Sequence, residues 1–407
     1  HDPSWDEAAK AFLAEAAARV TEKPNDMAHL QGLGAAAAAL GAKACQDPWV
    51  LYWRGNIRDC LEGPAAAEPL LRQALPELAA SHYPRLMPFF AARRLSQALA
   101  RQRGFEDTEV QEVRRRMYVH FGEAAGDPAI REEGGRDMYG RELSFLLMAA
   151  RKPGEMAPAA EAAAALTEAD PWASAMVRQM YHFELGWRAR RHGWADTVTA
   201  AGAQEFQTHL QKAYDICFAA WQQVPNRPEL PGRLLEISRP LCGGDSEQLW
   251  FERAVAAQFD YMPAYRSMLL GLMPRWGGSL AALLAFGDAL QKTQRYDTAV
   301  PFQALRSGAK VAEELGEDWR EVWRAESVVA WSTEVCRQYA GKDLSVIDLQ
   351  EEGLVALEAG LLWAAGRYQA AHERVATLQY GLRAGALSEV LRLARPDVIE
   401  TEVAIGI

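Results

Sequence analysis

The sequence predicts an all-α fold, and three observations support this expectation. Apolar residues recur at the helical period of 3.6 in nearly every segment of the 407-residue chain. The breaks between segments carry Pro, Gly, Asp or Asn, the residues that end one helix and cap the next. Roughly one residue in six is alanine, the strongest helix former. We therefore expect helices with short connections, packed as antiparallel hairpins.

The first 170 residues predict eight helices. Ser4 or Asp2 is placed to cap the first helix, and the segment 24–26 opens the second. Asp47 starts the third helix, since it directly precedes a proline. Five more predicted helices follow at 65–80, 86–101, 108–122, 137–150 and 156–167.

The rest of the chain continues in the same pattern. Two consecutive helices have an apolar face at helical spacing, formed by Met176, Met180, Phe183 and Trp187 and by Phe206, Leu210, Ala213, Cys217 and Trp221. Further helices are predicted at 230–238, 246–258, 264–272, 280–291, 299–315, 319–339 and from 351 onward. Only the segment 398–407 loses the helical period, which predicts an extended or disordered tail.

Two segments have the residue spacing of a tetratricopeptide repeat. Between 353 and 378, Ala359 and Ala371 are small enough for two helices to approach closely, and Gly366 makes the turn between them. The segment 251–265 matches the junction between one such repeat and the next. The other helix pairs are degenerate.

These patterns predict a right-handed α-solenoid of antiparallel helix hairpins with degenerate, tetratricopeptide-like repeats. We expect three parts: an N-terminal hairpin array at 1–165, a central domain at 166–310, and C-terminal hairpins with a tail at 311–407.

Several distinctive strings lie within 186–305. The sharpest is PRWGGS at 274–279, and it is accompanied by WADTV at 194–198, WFERA at 250–254, MPAY at 262–265, Phe286 and the region 296–301. Together they resemble a family of uncharacterised bacterial proteins that carry a domain of unknown function. The resemblance covers about 120 residues and implies a helical, tetratricopeptide-like architecture. It implies no established activity and no functional residue to transfer.

Charge and composition narrow the function classes. A net charge of −10 argues against a broad nucleic-acid-binding surface. The apolar stretches are too short to span a membrane. The five cysteines are never spaced as CxxC, and no histidines pair at metal-ligand spacing on one helix, although a site formed by tertiary contacts stays open. We expect no cofactor, no metal and no catalytic residue that a motif identifies.

The PRWGGS string is the first candidate site. Two glycines followed by Ser279 at a helix start could bind an anion, with Arg275 as counter-charge and Trp276 as a stacking surface beside Gly277 and Gly278. The alternative is a rigid elbow between two helix pairs, in which Trp276 fills the core and Arg275 pairs with an acidic neighbour.

A basic helix end is the second candidate site. Its residues are Arg188, Arg190, Arg191, His192, Trp194 and Asp196. Cations in the last turn of a helix stabilise the helix dipole, which alone explains them. The alternative is that they line a groove and bind a carboxylate or phosphate group, with Trp194 and Asp196 fixing the loop.

The functional expectation is a binding module whose concave side presents aromatic and arginine side chains to a protein or peptide partner. The alternative is an enzyme or small-molecule sensor with an anion-binding pocket near Arg275, Trp276 and the segment 188–196. No nucleic-acid or membrane partner is expected. We expect a cytoplasmic protein, or a periplasmic or secreted one if His1 is a mature end left by signal-peptide removal.

Overall fold

The computed structural model describes residues 4–21, 26–166, 170–191, 197–242, 244–347, 349 and 351–377. Within these residues the chain forms nineteen α-helices and no β-strand, which confirms the all-α class. The helices are α1 Asp6–Thr21, α2 Met27–Ala42, α3 Pro48–Glu62, α4 Pro64–Ala80, α5 Leu86–Arg103, α6 Thr108–Ala124, α7 Glu133–Ala149, α8 Ala157–Ala164, α9 Pro171–Arg190, α10 Ala200–Gln223, α11 Glu229–Cys242, α12 Gly244–Ala257, α13 Met262–Gly271, α14 Leu280–Lys292, α15 Gln303–Leu315, α16 Arg320–Arg324, α17 Glu326–Tyr339, α18 Glu351–Ala364 and α19 Tyr368–Val375. The right-handed solenoid stays a prediction.

The chain divides into two compact units, unit 1 (His1–Gln223) and unit 2 (Val224–Ile407). This division rests on contacts within each unit. The predicted three-part organisation, with boundaries at 165 and 310, concerns repeats and family resemblance and stays a prediction.

Unit 1 is an array of paired helices. The pairs α1–α2, α3–α4, α5–α6 and α9–α10 pack helix against helix, and their short connections make them antiparallel. Odd-numbered helices also contact one another, α1 with α3, α3 with α5, and α7 with α9. The short helix α8 packs against α6 and α9. Helices α1, α3 and α5 therefore lie side by side, and Arg93 of α5 reaches Glu142 of α7.

Unit 2 has a similar but less regular arrangement. The pairs α11–α12, α14–α15 and α18–α19 pack along their lengths, and α13 contacts α11, α12 and α15. Helices α16 and α17 contact both α15 and α18.

Aspartate residues begin four helices of unit 1. They are Asp26, Asp47, Asp107 and Asp170, the N-caps of α2, α3, α6 and α9. The Asp47 Oδ1 accepts hydrogen bonds of 3.0 Å from the amides of Trp49 and Val50. These amides have no partner within the helix, so each such cap contributes about 1 kcal/mol. The predicted starts at 26 and 47 are confirmed.

A ladder of buried aromatic rings crosses the core of unit 1. Phe89 of α5 packs against Phe121 of α6 with 5.1 Å between ring centroids. Phe121 stacks on Tyr139 of α7 at 4.4 Å, and Tyr139 lies 6.3 Å from Trp172 of α9. All four side chains are fully or almost fully buried. This ladder joins the four helices α5, α6, α7 and α9.

The best-matching repeat forms the hairpin that the sequence predicts. Ala359 of α18 and Ala371 of α19 are buried, and Gly366 in the connection has φ of 76°. At the second match, Tyr265 of α13 packs its ring edge-on against Phe251 of α12 at 5.3 Å.

Several predicted helix boundaries differ from the structure; the helix predicted at 137–150, for example, is α7, Glu133–Ala149. The predicted helix 319–339 is two helices, because Ala325 takes an extended conformation with ψ of 121°. The helix predicted from 299 begins at Gln303, since Val300 precedes Pro301 and a residue before proline disfavours the α conformation. Helix α1 begins at Asp6, two residues after Ser4.

The other predicted start-cap, Asp2, and the predicted tail 398–407 lie outside the described residues. Among the described helices, none is both long enough and apolar enough to cross a membrane.

Candidate functional site

Arg188, in the predicted basic segment, is bound to its own unit by several contacts. Its Nε lies 2.5 Å from the Glu184 carboxylate, one turn earlier on α9. Its Nη2 and Nη1 donate to the carbonyl oxygens of Ala150 and Arg151 at 2.8 and 3.2 Å. Arg188 therefore holds the connection between α7 and α8 against α9.

The same connection is held from a second side by a buried ion pair. Arg114 of α6 contacts Glu155 with 2.7 Å between Nε and Oε1, and it also donates to the Ala149 carbonyl at 3.0 Å. The other Glu155 oxygen accepts from the Arg151 amide at 2.6 Å.

Burial raises the pKa of Glu184, and the neighbouring Arg188 opposes that shift. These contacts give Arg188 a structural role in unit 1.

The remaining residues of the segment have different environments. The Arg190 guanidinium lies 5.6 Å from the ring of Trp187 and 6.0 Å from that of Phe206. Arg191 is exposed and ends α9 with φ of 64°. His192, Trp194 and Asp196 lie outside the described residues. A binding role for this segment stays a prediction.

The PRWGGS string forms the connection between α13 and α14 in unit 2. Gly277 has φ of 92°, and a Cβ on Gly278 would lie 2.1 Å from the Leu272 carbonyl oxygen, so both positions require glycine. Ser279 is the N-cap of α14, and its Oγ accepts from the Ala282 amide at 3.0 Å. The predicted helix cap at Ser279 is confirmed.

The two large side chains of this string have partners within unit 2. Arg275 forms an ion pair with Glu313 of α15 at 2.7 Å. Trp276 is 37% exposed, so it does not fill the core as the elbow interpretation expects, and its ring lies 5.7 Å from the Arg239 guanidinium. Arg239 itself is buried and pairs with Glu247 at 3.1 Å. This string and the segment 188–191 belong to different units.

The surface formed by α3, α5 and α7 is a further site, which we call the α3–α5–α7 face. Apart from its last two residues, helix α5 is buried except for one stripe at helical spacing. The stripe consists of Met87, Phe90, Arg93, Arg94, Gln97 and Arg101. Its arginines reach α3 on one side and α7 on the other.

Two of the three arginines are paired with carboxylates. Arg101 contacts both carboxylate oxygens of the buried Asp59 on α3 at 2.5 Å. Arg93 pairs with Glu142 of α7. The charges of these two guanidinium groups are therefore balanced locally.

Arg94 differs from its two neighbours because its partners are neutral. Its Nε donates to the Asn56 Oδ1 on α3, and its Nη1 donates to the Gln97 Oε1 at 3.4 Å. Within the described residues no carboxylate pairs with Arg94. The exposed Arg141 of α7 forms no close ion pair in the described part of the chain, although its charge acts on Glu142. The face therefore carries positive charge that its own residues do not cancel.

Aromatic rings lie beside these cations. The Arg93 guanidinium lies 5.2 Å from the ring centroid of Phe90 and 4.8 Å from that of Phe145 on α7. On α3, Trp49 stacks on Tyr52 at 4.5 Å, and Trp53 lies edge-on to Tyr52 at 5.5 Å. Except for Tyr52, which is buried, these rings are partly exposed.

Tyr52 lies close enough to Arg93 and Arg94 for their charges to affect its pKa. Burial raises the pKa of Tyr52, a hydrogen bond with Asn56 and the charges of Arg93 and Arg94 oppose that shift, and the charge of Glu142 adds to it. The tyrosine ring therefore lies within electrostatic reach of both guanidinium groups. Such a combination of aromatic and guanidinium groups is typical of the residues that contribute most to protein–protein binding.

A pair of histidines joins α9 and α10. The Nδ1 atoms of His182 and His209 lie 3.1 Å apart, so one ring donates a hydrogen bond to the other. Burial lowers the pKa of His182 to about 4, assisted by His209, Lys212 and Arg178, and burial also lowers the pKa of His209. In the described part of the chain no three His, Cys, Asp or Glu side chains group as metal ligands would.

No protein-family model matches the chain, and no curated protein is similar to it at a significant level. The resemblance drawn from the PRWGGS string accordingly stays a prediction.

Proposed function

We propose that the protein is a binding module and that the α3–α5–α7 face of unit 1 binds a peptide segment of a protein partner. The segment would place an acidic side chain on Arg94 and an apolar side chain against the partly exposed rings of Trp49, Trp53 or Phe90. This proposal keeps the expected class of function and moves the binding residues from the predicted segments to this face.

The observation that carries the proposal is the neutral environment of Arg94. Asn56 and Gln97 hold its guanidinium in place but leave its charge available. A carboxylate can accept two parallel hydrogen bonds from a guanidinium, which fixes orientation and adds specificity. An acidic side chain is therefore the group that this position fits best.

The aromatic rings favour a peptide over a small inorganic anion. The stack of Trp49 on Tyr52 and the neighbouring Trp53 offer apolar surface next to the charge. Partner recognition by helix arrays uses an extended surface of this kind, in which successive helices each contribute a few side chains.

A peptide selection tests the proposal. The full-length chain would be immobilised and a random peptide library selected on it, in parallel with an Asn56→Asp variant. In that variant a carboxylate on α3 would pair with Arg94 and cancel its charge while keeping the side-chain volume. We expect the wild type to enrich peptides that combine Asp or Glu with Trp, Phe or Leu, and the variant to lose that enrichment. Enrichment of the same peptides by both proteins, or of none by the wild type, would contradict the proposal.

The alternative of a pocket joining Arg275 and Trp276 to the segment 188–196 receives less support. Arg188 and Arg275 both have carboxylate partners in their own units. An anion at either place would compete with those carboxylates.

A further inference from the structure

A cleft of about 360 Å³ lies between α2 and α3, next to the N-terminal hairpin of unit 1. Helix α2 contributes Gln31 and the small residues Gly34, Ala37 and Ala38. Helix α3 contributes Arg54 and Leu61, together with the ion pair of Arg58 and Glu62. The volume is within the range of small-molecule sites, and Arg54 is the one cation of the lining without a carboxylate partner among the described residues.

Two glycines on α2 make room for these α3 side chains. A Cβ on Gly41 would lie 2.3 Å from the Arg54 Nη2, and a Cβ on Gly34 would lie 2.6 Å from the Leu61 Cδ1. The guanidinium of Arg54 therefore reaches the backbone of α2 only because position 41 has no side chain. Its position is thus fixed by packing as well as by hydrogen bonding.

Among the described residues no carboxylate pairs with Arg54, although a half-buried cation normally has such a counter-charge. Arg54 donates a long hydrogen bond of 3.5 Å to the Cys45 carbonyl oxygen. The nearby carboxylate of Glu62 is engaged by Arg58, with Nη2 and Oε2 2.6 Å apart. Burial lowers the pKa of Arg54, and the like charge of Arg58 adds to that shift. Partial desolvation without a paired anion is unfavourable, and a bound anion would relieve it.

We propose that this cleft binds a small monocarboxylate with a short apolar tail, the carboxylate pairing with Arg54 and the tail lying against Leu61 and the small residues of α2. One guanidinium matches a single negative charge, and its planar donors match a carboxylate bidentately. The ligand is either a free carboxylic acid or the carboxyl terminus of a peptide, since both offer the same group next to an apolar side chain.

Calorimetry on the full-length chain tests this at low salt and pH 7.5. The probes are 4-phenylbutyrate, its uncharged analogue 4-phenylbutyramide, inorganic phosphate, and a hexapeptide ending in leucine with either a free or an amidated carboxyl terminus. We expect 4-phenylbutyrate to bind about tenfold or more tightly than the amide and than phosphate, because only the acid offers both charge and tail. Tighter binding of the free-ended peptide than of 4-phenylbutyrate identifies a carboxyl terminus as the source, and the reverse identifies a free acid.

Three variants separate binding from folding. Arg54→Met keeps the unbranched stem and removes an uncompensated charge, so it should unfold at the same or a higher denaturant concentration while losing about tenfold or more in affinity. Gly41→Ala keeps the charge but displaces the guanidinium, and it should also weaken binding. Arg115→Met, which removes an exposed cation of α6 that does not line the cleft, is the control and should stay within about threefold of wild type.

Three results would overturn the proposal. They are equal binding of the acid and the amide, unchanged affinity in Arg54→Met, and no saturable binding of either carboxylate probe at about 10 mM.

Discussion

Arg94 of α5 donates a hydrogen bond to the side-chain oxygen of Asn56, a buried amide on α3. An amide oxygen can hold a guanidinium in position, but it carries no charge to neutralise it. On the same stripe, Arg101 meets a carboxylate at Asp59, also on α3. Asn56 is an amide, whereas Asp59, three residues later on the same helix, is a carboxylate. The charge of Arg101 is therefore neutralised, while the charge of Arg94 stays available to a partner.

The helix cap at Ser279 should stabilise the PRWGGS connection. Replacing Ser279 with Ala should cost about 1 kcal/mol of unfolding free energy, because the Ala282 amide loses its partner. Ser279→Asp keeps an acceptor and adds a negative charge at a helix start, so it should stay within about 0.5 kcal/mol of wild type. Urea unfolding followed by circular dichroism measures both. An equal loss in the two variants would show that the cap is not what stabilises this connection.

The buried pair Arg239–Glu247 should be sensitive to the loss of one partner. Both side chains are only 7% exposed, and the Arg239 Nη2 also donates to the Ser267 Oγ at 2.8 Å. Glu247→Gln leaves the guanidinium buried without its counter-charge and should cost about 3 kcal/mol. The control is Asp288→Asn, which removes an exposed ion pair with Lys292 in the same unit and should cost below about 1 kcal/mol. If the two variants had similar unfolding midpoints, burial would not be what makes the loss of Glu247 costly.

The His182–His209 pair predicts a pH dependence of stability. The folded pKa of His182 is about 4 and its ordinary value is 6.5, so between these values the unfolded chain binds a proton that the folded chain does not. The contribution of the neutral His182 ring to the unfolding free energy is fully present above about pH 6.5 and is lost as the pH falls towards 4. Since the ring is half-exposed, we expect a loss of about 1 to 2 kcal/mol.

His182→Gln should remove this part of the pH dependence. The groups that face the pair are Lys212 and Arg178, which disfavour protonation of His182, and Glu205, which favours protonation of His209. The unfolding free energy is measured at pH 7.5 and at pH 5 for wild type and variant. The difference between the two proteins in their pH-dependent loss is the contribution of His182. If both proteins lose the same stability on acidification, the pair is not its source.

Much of the fold could be predicted from local sequence. An aspartate or serine before an apolar period predicts a helix start, and the structure confirms this at Asp26, Asp47 and Ser279. The break at Ala325 could not be predicted, because nothing in the local sequence opposes a helix there. The break follows Trp323, whose buried ring packs against Gly308 of α15, so tertiary packing accompanies it.

The proposed binding face was harder to predict than the fold. Sequence reasoning favoured arginines beside loops and tryptophans, yet Arg188 binds carbonyl oxygens 37 and 38 positions earlier in the chain. The partners of Arg93 and Arg94 are 49 and 38 positions away, and no local pattern reports such distances. One clue was available in α5, where apolar residues occupy every side of the helix except the stripe that carries these arginines.

The central claim is that Arg94 offers an available positive charge on the α3–α5–α7 face. Its most direct test is the affinity of a selected acidic peptide, measured by fluorescence anisotropy for wild type, Asn56→Asp and Arg115→Met. Asn56→Asp supplies Arg94 with a carboxylate, whereas Arg115→Met removes an exposed guanidinium from α6 as a control. We predict that Asn56→Asp weakens binding about tenfold or more while Arg115→Met stays within about twofold. Equal affinities for wild type and Asn56→Asp would contradict the claim.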